Sequence, residues 1–287
     1  MSEPAAFPPP VAGRVSEAAE PGWYPDPYGP PTLRWWDGSV WTPHVAGVPT
    51  LEPSRKVEAP TLPSSAAVVA VVITAASLAV SRVVLESLSS LRLPIIVYVA
   101  LSAVLGYGPM VAGCVWVSRR YGTGRVAKDL GFRFRWSDAG WGPLIWMCGV
   151  AAELSLVALV TFAHIPLTSN TESIGRLRGE RGVLVALLIT AVVLAPLVEE
   201  TVFRGVILRG LRSRMPDGAA IVVQGVLFGA AHVDPSRGMG NFGLVILLSG
   251  VGCVFGAAAH HLGRLGPTII AHAVFNSVVM LIALNLR

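Results

Sequence analysis

The chain has 287 residues, of which 53% are apolar and only 14% charged, whereas charged residues make up about a quarter of an average soluble domain. That balance excludes an ordinary soluble globular protein and points to the membrane. The formal net charge of +5 is modest, and the basic residues sit in short clusters between apolar runs, where they orient a membrane protein and do not form a nucleic-acid face.

Three cysteines, Cys114, Cys148 and Cys253, lie singly in apolar stretches, so neither a disulfide framework nor a thiolate metal site is suggested. The opening MSEPAAFPPP carries acid and proline where a signal peptide has a basic start and an apolar core. Residues 1–20, rich in Ala, Pro and Glu, read as a disordered tail.

From Pro21 the texture changes. Residues 21–45 crowd Trp23, Tyr24, Tyr28, Trp35, Trp36 and Trp41 among turn residues, with Asp37-Gly38 a hairpin signal between two short β-type segments. PGWYPDP and RWWDGSVWT resemble the signature of a short domain of unknown function found at the N-termini of many actinobacterial membrane proteins. Its aromatics read as the core of a β mini-domain too small to have another; the other reading is a docking surface for a protein partner or the membrane interface. Residues 46–65, with Pro49, Pro53, Pro60 and Pro63, read as a linker.

From Ala66 to Arg287 the chain is a polytopic, all-α transmembrane domain. About seven apolar runs approach the roughly 20 residues that cross the hydrocarbon: 66–90, 94–117, 140–164, 182–212, 218–233, 242–262 and 267–283, the fourth long and the fifth short. The loop with Arg119, Arg120, Arg125, Lys128, Arg133 and Arg135 is the most basic of the short ones, which puts it and the N-terminal domain in the cytoplasm of a cell-membrane protein. Arg209, Arg212, Arg214 and Arg264 agree; Arg176, Arg178 and Arg181 disagree, accompanied by Glu172 and Glu180. The basic loop fits a solvated face or an anionic-lipid contact.

Glu199, Glu200 and Arg204 lie inside the fourth run, in LAPLVEETVFRG. Each such residue at a helix centre costs roughly 2.5 to 3.5 kcal/mol on insertion scales and is a functional candidate by default. Glu200 and Arg204, four apart, share a face and form an ion pair. That leaves Glu199 as a second carboxylate beside the first, an arrangement that splits proton affinities and suits an acid or base. Pro196 removes a backbone donor one turn earlier and is expected to kink the helix beside a polar cavity.

Two histidines follow in apolar settings, each in an i, i+4 pair: Phe228 with His232, and His272 with Asn276. Asn276 is placed to fix the His272 tautomer or to bond a developing oxyanion. Helix arithmetic sets Glu199 and Asn276 roughly 15 Å, His272 roughly 9 Å and His232 roughly 20 Å from the cytoplasmic edge, within reach of one pocket. His164, His260 and His261 fall at run ends, and Gly252 with Gly256 forms a GxxxG read as close helix packing.

The ordered trio E-E-x-x-x-R, F-x-x-x-H and H-x-x-x-N resembles the signature of the CAAX-protease and bacteriocin-processing family of membrane endopeptidases, over roughly residues 140–287. The resemblance implies Glu199 as general base on a water assisted by His232, His272 and Asn276 as oxyanion stabilisers, Glu200 and Arg204 holding charge and geometry, and Phe228 against the substrate. It leaves two versions open, one without a cofactor and one with a divalent cation such as zinc on Glu199, His232 and His272. The partners implied are membrane lipids and a membrane-associated peptide or protein substrate. The rivals are a non-proteolytic scaffold or bacteriocin-immunity protein, and a transporter with carboxylate proton carriers.

Overall fold

A computed structural model describes residues 20–29, 32–47, 62–168 and 180–285. The chain divides into two compact units, Met1–Val57 and Glu58–Arg287. The expected tail lies outside the described residues except for Glu20, and so does the middle of the expected linker, whose last two residues already open the first helix.

In the first unit three strands, β1 (Gly22–Pro25), β2 (Thr32–Trp36) and β3 (Trp41–Gly47), form an antiparallel sheet in the order β1-β2-β3. Asp37-Gly38 turns β2 into β3 as the hairpin signal requires: Gly38 takes φ 98°, open to glycine, and Asp37 Oδ1 accepts from the Ser39 and Val40 amides at 2.7 Å each. The sequence offered two strands; the third, β1, is only four residues long and ends at Pro25, too short to show alternation. Edge-to-face pairs Trp23–Trp35 at 5.5 Å and Trp36–Trp41 at 5.4 Å clasp the sheet. Asp26 accepts from Arg34 Nε at 2.9 Å and Nη2 at 3.1 Å, and that guanidinium holds its carboxyl below the ordinary carboxylate range.

The second unit is helical: α1 (Ser64–Leu88), α2 (Ile95–Tyr121), α3 (Asp138–Phe162), α4 (Arg181–Leu211), α5 (Asp217–Ala230), α6 (Asn241–Leu262) and α7 (Gly266–Asn285). Among the described residues six helices are long and apolar enough to cross a membrane, and α5 is not one of them. Its 14 residues rise about 21 Å at 1.5 Å each, short of the roughly 30 Å hydrocarbon. Pro235 restricts the residue before it to extended backbone, and Asp234 instead caps the following 3-10 turn by accepting from the Ser236 amide at 3.0 Å.

Large apolar side chains such as Val68, Val72, Leu154 and Phe162 point outward, as lipid allows. Inward, α1 presents the small stripe Ala66, Ala67, Ala70, Thr74, Ser77 and Ser81, spaced at helical intervals, which lets neighbouring backbones approach. One apolar cluster joins α1, α2, α4 and α5 through Ala70, Met110, Val202, Phe203 and Phe228; a second joins α3, α6 and α7 through Ile145, Phe255, Ala271 and Phe275. The GxxxG expected to pack closely does so: a Cβ on Gly252 would meet the Gly225 Cα at 3.0 Å, bringing α5 and α6 into backbone contact.

Asp129 and Asp138, between and at the helix ends, tie those ends together. Asp138 accepts from Arg264 Nε at 2.9 Å, and Arg209 Nη1 donates to the Asp129 carbonyl at 2.9 Å. Burial opposes charge on Asp129, but hydrogen bonds from Ser118 Oγ at 2.6 Å and from Thr123 outweigh it and hold the carboxyl below its usual range.

Candidate active site

The site begins with an irregularity in α4. Thr190–Leu194 and Thr201–Leu208 are π-helical, and between them Ala195–Glu200 is α-helical and carries both acids. Such segments gather at functional sites. Pro196 has no amide hydrogen to donate, and the Ala195 amide bonds back to the Thr190 carbonyl, five residues away. The chain absorbs the proline in this way, with α4 continuing through it. The Ala191 carbonyl, left without those two donors, accepts from Asn276 Nδ2 at 2.7 Å.

Glu200 and Arg204 form the expected i, i+4 pair, Nη1 to Oε1 2.8 Å, with both side chains 0% exposed. Arg204 Nη2 donates to the Gly252 carbonyl at 3.2 Å, and its guanidinium lies 4.5 Å from the Phe228 ring and 5.5 Å from Phe255. The cation is thus enclosed by one carboxylate, one carbonyl and two aromatic faces, which offsets its desolvation. Glu200 Oε1 also bonds His272 Nδ1 at 3.0 Å. A carboxylate oxygen only accepts, so Nδ1 carries the proton.

Glu199 is placed differently. Its Oε1 accepts from Tyr107 Oη on α2 at 3.1 Å, and its Oε2, 3.8 Å from His272 Nε2, is buried with no protein hydrogen-bond partner among the described residues. Glu199 and His232 both line a cavity of about 500 Å³ that Thr74, Arg82, Tyr107 and Phe203 help to enclose. His232 lies in the turn just past α5, its ring 4.9 Å from Phe228, with Nδ1 2.8 Å from the Phe228 carbonyl. That contact puts the proton on Nδ1 and leaves Nε2 of the neutral ring an acceptor.

The residues of the three motifs therefore converge, in two layers. Glu199 and His232 face a cavity; Glu200, Arg204 and His272 are sealed beneath. Two of the expected residues have other neighbours than the sequence suggested. Asn276 spends an amide hydrogen on the Ala191 carbonyl, bracing the π segment, and neither fixes the His272 tautomer, which Glu200 does, nor has that hydrogen for an oxyanion. Phe228, expected against the substrate, is 3% exposed and forms the aromatic bed under Arg204, His232 and His272.

Tyr107 and Phe255 belong to the site but were not singled out from the sequence. An aromatic inside an apolar run is ordinary, although Tyr107 does sit in the unusual string Gly106-Tyr107-Gly108-Pro109. His164 and His261 lie outside the cluster, and His260 faces Asp217, its Nε2 3.3 Å from Oδ2. Among the described residues no three His, Cys, Asp or Glu side chains come together as a metal-ligating group. His272 and His232 make their protein contacts at Nδ1, which leaves each Nε2 lone pair free; the zinc alternative gets no support from a preformed ligand group among the described residues.

Six helices long and apolar enough to span, and a buried charge cluster beside a cavity, define a multi-pass membrane protein with a polar centre among its helices. Residues 181–278 match the family model described as type II CAAX prenyl endopeptidase Rce1-like. The chain thus carries an Rce1-like domain, and the matched segment holds Glu199, Glu200, Arg204, His232, His272 and Asn276 but begins after α3, later than the resemblance over 140–287 suggested. Residues 21–56 match a family described as protein of unknown function, DUF2510. No curated protein and no solved structure matches the chain. Intramembrane endopeptidase activity is what the first match supports.

Proposed function

We propose that the protein is an intramembrane endopeptidase that hydrolyses peptide bonds of membrane-associated substrates with Glu199 as the general base. The observation that carries this reading is the contrast between adjacent carboxylates. Glu200 is paired with Arg204 and closed off, while Glu199 has no arginine partner and lines a cavity together with His232. Each acid keeps one buried oxygen without a protein hydrogen-bond partner among the described residues, and Glu199 is the one of the two on the cavity.

Both Glu199 and His232 Nε2 are acceptors, so a water between them donates to both and turns a lone pair toward the scissile carbonyl carbon. As the water oxygen adds, Glu199 takes its proton; on collapse of the tetrahedral intermediate Glu199 returns that proton to the departing amine nitrogen. His272, held by Glu200, keeps its Nε2 edge toward Glu199. The oxyanion role given by the resemblance to His272 and Asn276 has no support in their present hydrogen bonds. We place the N-terminus and the basic loop of residues 119–135 in the cytoplasm of a cell-membrane protein, on the distribution of Arg and Lys. The first unit, a sheet closed on its own aromatics, serves as an accessory module to which a protein partner could bind.

The test is cleavage of a membrane-tethered peptide library by purified protein in nanodiscs. Wild type cleaves, Glu199→Gln falls by about 10²-fold or more, and a chelator arm reports on metal. A folded wild type that cleaves nothing, or an E199Q variant as active as wild type, would favour the scaffold reading.

A further inference from the structure

Resting on the reading of Glu199 as the base, we propose that Tyr107 is a positioning residue of the reaction, fixing the Glu199 carboxylate through its hydroxyl from a helix outside the family-matched segment. The carboxylate of Glu199 has two soft torsions beyond its Cβ and could swing within the cavity it borders. Tyr107 Oη donates to Oε1 at 3.1 Å from α2, and His272 Nε2 stands 3.8 Å from Oε2 on α7. The Tyr107 bond anchors Oε1, and Oε2, with no protein hydrogen-bond partner among the described residues, is left for the chemistry in the cavity that Glu199 shares with His232.

The two nearby cations donate to other groups. Arg204 gives Nη1 to Glu200 and Nη2 to the Gly252 carbonyl; Arg82, on the same cavity, is paired with Glu86 at 2.7 Å and Asp234 at 3.0 Å. His272 gives Nδ1 to Glu200. Tyr107 therefore supplies the hydrogen bond given to Glu199 within the described residues, and it is the side chain by which α2, absent from the three sequence motifs, reaches the reacting group. A phenol suits the task, since it remains a neutral donor and adds no cation that would hold the base in its charged form.

The experiment compares wild type, Tyr107→Phe, Glu199→Gln and the double variant in nanodiscs, with kcat, KM and melting temperature for each. A hydrogen bond to a charged group placed this way is worth about 10- to 100-fold in rate. The expected result is a kcat lower by that factor in Y107F, with KM within about twofold and melting temperature little changed. In the E199Q background the same substitution should add no further loss, because its effect passes through the carboxylate. Y107F with wild-type kcat beside an inactive E199Q would overturn the positioning role alone. A Y107F loss that appears in KM or melting temperature, or repeats in full in the E199Q background, would assign Tyr107 to packing. Equal cleavage by wild type and E199Q would instead remove the base on which the proposal rests.

Discussion

Replacing Arg204 by alanine tests whether the sealed layer is a true ion pair or incidental polarity. The guanidinium makes one 2.8 Å bond to Glu200, one 3.2 Å bond to the Gly252 carbonyl, and lies over Phe228 and Phe255, with both partners of the pair 0% exposed. Removing one member of such a pair strands the other charge, at a cost of about 3–5 kcal/mol, or two to three and a half orders of magnitude in the folding equilibrium at about 1.4 kcal/mol per tenfold. Glu200→Gln/Arg204→Met, which removes both charges and keeps the volumes similar, is expected to recover most of that loss. The assay is SDS-induced unfolding in mixed micelles, followed by circular dichroism on wild type, the single and the double variants. A loss under about 1 kcal/mol for R204A, or a double variant no more stable than the single, would refute the account of Arg204 as the counter-charge of Glu200.

Asn276→Ala leaves the Ala191 carbonyl unpaired and should lower stability by about 1–3 kcal/mol in the same assay; unchanged stability with lost cleavage would instead put Asn276 on the substrate. Gly225→Ala drives a methyl to within 2.8 Å of the Ser249 carbonyl oxygen and 3.0 Å of the Cys253 amide, so a loss of about 1–3 kcal/mol is expected. Gly218→Ala, with nothing within 4 Å of the added carbon, should be neutral or slightly stabilising, and serves as the matched control. In the N-terminal sheet, Arg34 lowers the Asp26 carboxyl below its ordinary 3.8. The pair therefore stabilises the sheet above that value and is lost as pH falls through the lowered one. Hydrogen-exchange protection of the strand amides across an acid series should show that loss, and Asp26→Asn should flatten it.

The membrane made much of this molecule legible in the sequence. Lipid tolerates apolar runs and penalises ionisable groups, so six spans stood out by length, and Glu199, Glu200 and Arg204 by contrast with their surroundings. What stayed hidden were features set by local bonding. The fifth run continues apolar to Val233 although its helix ends at Ala230, because hydropathy does not register the restraint that Pro235 places on the chain before it. The partner of Asn276 is a carbonyl released by a π segment, and that of Arg204 Nη2 is another carbonyl; neither has a side-chain signature. Tyr107 escaped because a tyrosine within an apolar run is ordinary until a carboxylate is found opposite it.

The π segment at Thr190–Leu194 makes the aim of the two acids a matter of counting. Each residue of an α-helix turns the chain by about 100°, and the bond from the Ala195 amide to Thr190 marks a place where the ladder has slipped by one. A π turn holds one residue more than an α turn while covering about the same angle, so deleting one of those five residues and letting the regular ladder close would leave both carboxylates on nearly the same face. A change that made the segment α-helical at unchanged length would instead swing both about a quarter-turn away from Tyr107 and His272, with every residue of the site still present. The aim of the acids is thus set by residue count and ladder type together.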